Sequence, residues 1–541
     1  MDAHTSSSSD SSFQAIPEIK SPAIKEFLEA YDREERALGQ QENTANIQVS
    51  RAAATLAVIY ERIRQAIDYQ EEQVLRRRAL SRIILRRLTS AKNGERSIAE
   101  GLIREATWAH YLPNSSLPPE RIDEVAAIIK RYKVLLERNT YKQTKKLPDL
   151  RDWILGVMAT EIEQLLVPHY TTDAMVHLMY KSIDHSQSTL EYDDATKNLQ
   201  IYLTIQRTLL KADTASLRFM LLNSYYPDWQ KNNEELTDQV AAQFIQAVEA
   251  IEYHIHHPLG ERLLPIIRKQ TAPFLVLKAV VDKNRKKSKE ILGTPELREA
   301  AIREICKEKY GVVRKRIQRA AIRSIIYLFI TKMTLAFLVE VPLDNLIYNE
   351  VHKLPLAINV LFPPILMFIV ALTIRTPGER NTDRIVSRLN SIIDDTDGAN
   401  SVKLTIPKMK RRSNAFLYLY IATFIISFGL IWMLLSRLHF NIVSKSLFFL
   451  FTCLVSFFAF RIRQTSREFL FIEDKESVLS AIIDFFFLPF LRVGRWLSEG
   501  FSKINIFIFV FDFILEAPLK SLIAIAEEWF TFIREKKDEI A

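Results

Sequence analysis

Two uncharged runs constrain this chain more than any other feature. Residues 354–374 are 21 in a row without a charge, bounded by Lys353 and Arg375, and residues 413–436 are 24 in a row between Arg412 and Arg437. A helix needs about 20 such residues to cross the hydrocarbon core of a bilayer. Both runs predict transmembrane helices. Residues 446–460 give only 15 uncharged positions. Drawn back to Ile442 the run becomes long enough, provided Lys445 snorkels to the interface.

The segment 324–341 is apolar except for Lys332 near its middle and Glu340 near its end. A central lysine costs about 2.5–3.5 kcal/mol on insertion scales, which flanking Ile, Leu and Phe offset. Charge bias tests the assignment independently. Arg314, Lys315, Arg316, Arg319 and Arg323 precede the segment with no acid among them, whereas residues 344–353 hold Asp344, Glu350 and one lysine. The connector 375–412 carries nine Lys or Arg, including Lys408, Lys410, Arg411 and Arg412. The next connector has only Arg437 and Lys445, and Arg461, Arg463 and Arg467 follow the last run. That alternation fits four spans (324–341, 354–374, 413–436 and 442–460) in a cell membrane, with both termini cytosolic.

The rest of the chain reads as soluble helix. Apolar residues recur at three- and four-residue spacing from about residue 44 to 311, and prolines divide the text into helices of ordinary length. The fold expected is all-α. Residues 1–43 are expected to be a disordered tail, 44–275 a cytosolic helical domain, 276–323 a basic juxtamembrane helical connector and 324–467 the membrane region. Residues 468–541 are expected to form amphipathic, interfacial or re-entrant helices, with two further spans as the alternative. Because Pro342 is the first proline after Pro295, one helix is expected to run from Glu296 to Val341, roughly 70 Å, with Gly311 the place for a bend.

Composition sharpens what is excluded. Mean hydropathy is −0.01, the sum of a charged half and an apolar half. Only 12 glycines occur in 541 residues, and no phosphate-binding glycine loop, nucleophile elbow or HExxH helix is present. Cys306 and Cys453 are too few and too far apart for a disulfide framework or a cysteine-based zinc site. No catalytic residue and no cofactor is therefore predicted.

Several residues carry candidate chemistry. Glu252 and His256, one turn apart, are the weak metal candidates, although Pro258 places the neighbouring His254 and His257 at a helix end, where capping explains them. Lys332 and Glu340 are the candidate intramembrane functional pair. Some 12 Å of helix separates them, so the lysine is expected to need another partner: a lipid phosphate, Asp484, Asp512 or a second subunit. Pro363 and Pro364 interrupt the ladder of the second span and free carbonyl groups. The basic run 278–289 and the collar Arg314–Arg323 predict contact with anionic headgroups, as do Lys408–Arg412. Without interleaved aromatics they do not predict nucleic acid. Tyr225–Trp229 reads as a packed turn between helices rather than a docking patch.

The expected role is non-enzymatic: a multi-pass membrane protein whose cytosolic domain binds or positions a cytosolic or membrane protein partner at the bilayer. A transporter or channel component using Lys332 and the Pro363–Pro364 break is the alternative. A membrane-bound lipid-acting enzyme, with Asp484, Asp512 and Glu516 at headgroup level, is the third reading.

Overall fold

The computed structural model describes residues 19–41, 72–89, 94–114, 117–139, 147–184, 192–348, 353–374, 376–395, 402–403, 414–466, 468–471, 485, 487–497 and 529. Among these, the only strand pairing is a parallel ladder of two residues each, Ile183–Asp184 with Val402–Lys403; everything else regular is helix.

The head has two hydrophobic cores. Helices Glu72–Thr89, Glu95–Trp108, Glu120–Asn139, Leu150–Leu166, Thr214–Tyr225 and Glu234–Ile255 enclose the first, around Trp153, Trp229, Phe244 and Tyr132. Their starts are set by side-chain caps that occupy otherwise unpaired amides. Asp149 accepts from the amides of Arg151 and Asp152, Asp213 from Ser216, and Asn233 from Glu235 and Leu236.

The second core corrects two expected boundaries. Residues Pro22–Gln41 are a helix, not a disordered tail, and Ile24, Phe27 and Leu28 are buried among residues of Tyr170–Lys181 and Pro258–Lys283. Ile24, Phe27 and Leu28 share one face at helical spacing, a signal outweighed in the sequence by the serine-rich start before it. Residues 1–18 lie outside the described set. The head also does not end at 275. Val276, Leu277, Val280, Val281, Ile302, Ile305 and Cys306 are core residues, so roughly the first two thirds of the expected basic connector belongs to the domain.

The connector between the second and third spans closes this core. Helix Glu379–Ile393 buries Ile385, Val386, Leu389, Ile392 and Ile393 in it. Arg298, itself buried, donates to both oxygens of Asp394 at 3.0 and 2.9 Å. Asn381 donates to Tyr310 Oη at 2.7 Å and to the Phe469 carbonyl at 2.9 Å. Glu468, just past the fourth span, pairs with Lys211 of the head at 2.7 Å.

Among the described residues, four helices are long and apolar enough to cross a membrane: Pro295–Leu346, Lys353–Thr373, Tyr418–Arg437 and Ile442–Arg463. The head, the 379–393 connector and the segment 468–471 meet at one end of this bundle, and the connectors around Asp344 and Asn441 meet at the other. The outward faces of the spans are apolar: Ile326, Ile330, Leu338, Ile369, Leu372, Ile425 and Leu430 are all exposed.

The first span departs from expectation in a way that matters below. Helix Pro295–Leu335 passes Gly311 without interruption, then becomes a π turn over Ala336–Glu340 and resumes as Val341–Tyr348, so it does not end at Val341. Proline in an α-helix clashes with the carbonyl four residues back. The π turn just before Pro342 widens the backbone there, which lets the helix continue.

Candidate intramembrane polar site

Lys332 and Glu340 are paired, with Nζ 2.6 Å from Oε1, and both side chains are buried. This overturns the expectation that the lysine needs a partner from elsewhere. In a regular α-helix eight residues make about 2.2 turns, which leaves two positions some 80° apart around the axis and about 12 Å along it. The π turn accounts for the difference. The amide of Val341 bonds to the carbonyl of Ala336, five residues back, so this stretch spends extra residues per revolution and turns Glu340 back onto the stripe of Lys332. The Lys332 ammonium also lies over the Phe451 ring, 4.9 Å from its centroid.

Glu340 is held from two other spans. Asn359 of the second span donates through Nδ2 to Glu340 Oε2 at 2.8 Å and to the carbonyl of Ser444 at 3.2 Å. Ser444 Oγ of the fourth span donates to the same carboxylate oxygen at 3.4 Å. Beyond Ser444 the polar contacts continue to the head-distal end. The Ser444 amide donates to Asn441 Oδ1 at 2.6 Å, and Asn441 Nδ2 donates to Asp344. The fully buried Asn359 keeps one atom, Oδ1, with no hydrogen-bond partner. An unpaired buried acceptor costs about 1–3 kcal/mol.

Pro363 and Pro364 are buried inside the continuous helix Lys353–Thr373. Lacking amide hydrogens, they cannot bond to the carbonyls of Asn359 and Val360, so the interruption falls one turn from the residue that holds Glu340. Lys445 Nζ donates to Ser436 Oγ at 2.9 Å and lies 4.8 Å from the Trp432 ring centroid, between the third and fourth spans.

Of the other candidates, Glu252 and His256 do meet, with Nδ1 3.5 Å from Oε2, but other groups already engage the carboxylate. Glu252 is engaged by Trp153 Nε1 at 2.9 Å and Arg218 Nε at 2.7 Å, while His256 is exposed and closes its helix through the Glu252 carbonyl. His257 caps the next helix, accepting from the amide of Leu259. No group of three or more His, Cys, Asp or Glu with metal-holding geometry occurs among the described residues. Arg314, Lys315, Arg316, Arg319 and Arg323 are all exposed on the helix that enters the first span. Lys408, Lys410, Arg411, Arg412, Asp484, Asp512 and Glu516 lie outside the described residues. In the turn 225–229, Trp229 is buried and donates to Tyr132 Oη and Glu161, whereas Tyr225 is exposed.

Sequence reasoning missed Asn359, Ser444 and Asn441, and it did not say which helices the expected tail helix would pack on. Uncharged polar residues in an apolar run carry little signal, although an asparagine inside a span is itself unusual. The helix at 487–497 packs on the third and fourth spans, with Phe490 stacked on Phe428 at 4.6 Å and Arg492 donating to Tyr420 Oη at 2.5 Å. No protein family, no curated protein and no solved structure matches this chain.

Proposed function

We propose that the chain is a multi-pass integral membrane protein of the cell membrane that holds a rigid helical head at the cytosolic face, where the head binds or positions a protein partner without performing a reaction. One observation carries this reading: the connector between the second and third spans is part of the head's core. Head, connector and the segment after the fourth span then share one side, and their Lys and Arg excess fits the cytosolic, anionic leaflet. The exposed collar Arg314–Arg323 would sit against lipid headgroups as the helix enters the bilayer. Both termini follow to the cytosolic side if the tail adds no unpaired crossing.

Cysteine labelling in intact cells tests the sidedness. Asn345→Cys is expected to react with an impermeant reagent from outside and Glu379→Cys only after permeabilisation; outside labelling of Glu379→Cys overturns the topology. Photocrosslinking from the exposed Tyr253 of the head and from Asn345 tests the role. A discrete partner captured from the head position alone supports it, and the absence of any partner across the head surface sinks it.

A second reading, a transport or channel component, is favoured by the buried Lys332–Glu340–Asn359 cluster, since charged groups inside a bundle mark ion or substrate pathways. Flux in proteoliposomes that is abolished by Lys332→Leu would replace the positioning role with this one.

A further inference from the structure

We propose that the head-distal half of the bundle is a proton entry path ending at a proton-binding site formed by Glu340, Lys332 and Asn359. The bundle is built in two unlike halves. On the distal side, Asp344, Asn441, Ser444 and Glu340 follow one another through hydrogen bonds, ending at Lys332. Asp344 lies beside the exposed Asn345 at the end of the first span. On the head side, Lys332 abuts a buried apolar cluster that includes Leu328, Met367, Phe451, Val455 and Ile462. Among the described residues, polar groups thus lead to Lys332 from the distal side only.

The chemistry of the end point fits a proton. Hydronium arriving along the path gives its proton to a Glu340 oxygen. An O–H bond forms, water is released, and the ion pair with Lys332 is lost. The ammonium then retains the face of Phe451, a contact suited to a cation. The new O–H needs an acceptor, and Asn359 Oδ1 is one: buried, without a partner, and on the amide whose Nδ2 now donates to Glu340. Turning that amide over presents Oδ1 to the protonated acid in exchange for the Nδ2 bonds to Glu340 and to the Ser444 carbonyl. The charged groups around Glu340 are few. Its own helix supplies Lys332 and Asp344, the second span presents the neutral Asn359, and the fourth presents Lys445, which is turned away onto Ser436 and Trp432. The inference rests on neither reading of the function: proton uptake without flux leaves the site standing and removes only the transport reading.

Infrared difference spectroscopy on the full chain in nanodiscs, stepped from neutral to acidic pH, tests it. A protonated-carboxyl band that appears on acidification, shifts in heavy water and is missing in Glu340→Gln is the expected result. Asp344→Asn should retain that band but develop it more slowly after a pH jump. In sealed liposomes of known orientation, acidifying the head-distal side should produce it before acidifying the head side does. An unchanged band in Glu340→Gln, or equal rates from both sides, overturns the proposal. If Glu340→Gln does not fold, the apolar pair Lys332→Met/Glu340→Leu serves in its place, and persistence of the band there overturns it equally.

Discussion

Glu161 shows how the head uses a buried charge. Its carboxylate accepts from Arg131, from Tyr132 Oη at 2.7 Å and from Trp229 Nε1 at 3.2 Å, and Arg131 lies 4.9 Å from the Trp229 ring centroid. Burial pushes the Glu161 carboxyl above its ordinary value, with Arg131 the largest opposing influence. Because the folded value is raised, the contribution of this group to stability is fully present below the unfolded value and is lost as pH rises. Arg131→Met removes the chief compensation, and loss of one partner of a buried pair costs roughly 3–5 kcal/mol. The expected outcome is a strongly lowered unfolding midpoint at neutral pH that recovers in part as pH falls toward 4.5; a pH series of thermal melts checks it. His254 runs the other way. Burial, then the neighbouring His257, lowers its value from 6.5, so its unfolded form binds the proton more readily and stability falls as pH drops below about 6.5. His254→Phe should flatten that acid slope in the same melts. At this scale the sequence was partly legible. The cluster beside Pro227 marked a turn in which Trp229 is packed while Tyr225 stays exposed, but the partners of Trp229 lie 68 and 97 positions away, and no local pattern names them.

Among the elements, the four spans were legible because an apolar run of sufficient length is a nearly local property. The π turn was not. Around Ala336–Glu340 almost every residue is apolar, so periodicity cannot report whether a turn takes four residues or five. Inserting one alanine after Leu338 isolates its effect. Leu338 is exposed, so little packing is disturbed, while the extra residue turns Glu340 about 100° further round the axis and off the stripe of Lys332. Two buried charges would then lack each other, at a cost of roughly 3–5 kcal/mol. Leu338→Ala, which leaves the register alone, should change stability by about 0.5 kcal/mol or less. Denaturant titration in detergent that finds the two variants alike would remove the register argument. The tail helix offers a parallel case. A Cβ on Gly494 would come within 2.1 Å of the Cys453 carbonyl oxygen, a backbone atom that cannot give way. Gly494→Ala is therefore expected to detach residues 487–497 from the fourth span, read as protease sensitivity near Trp496. Among the described glycines, Gly494 of the tail makes this close backbone approach, while Gly429 inside the third span has open space around it.

For the whole molecule, charge bias and tertiary packing reach the same topology by independent routes. The excess of Lys and Arg in 375–412 assigns that connector to the side of the head, and the burial of Ile385, Leu389 and Ile392 in the head's second core requires it. Those residues, with Val386 and Ile393, follow a helical apolar spacing that was present in the sequence. What the sequence withheld was their destination, since contacts between residues some 200 positions apart depend on both spans in between being placed. The consequence is that head and bundle are not separable domains. A soluble fragment ending at residue 323 lacks the helix Glu379–Ile393 and exposes the apolar face it covers, together with the unpaired Arg298. Such a fragment is expected to aggregate or to melt without cooperativity, and covalent addition of residues 379–395 through a flexible linker should restore a single sharp transition. Within the full chain, Leu389→Ala should destabilise the head by roughly 2–5 kcal/mol, although the residue lies in sequence between two helices long and apolar enough to cross a membrane. Calorimetry on the fragment with and without the added helix decides the matter: a fragment that already unfolds cooperatively without it would make the connector an accessory rather than part of the core.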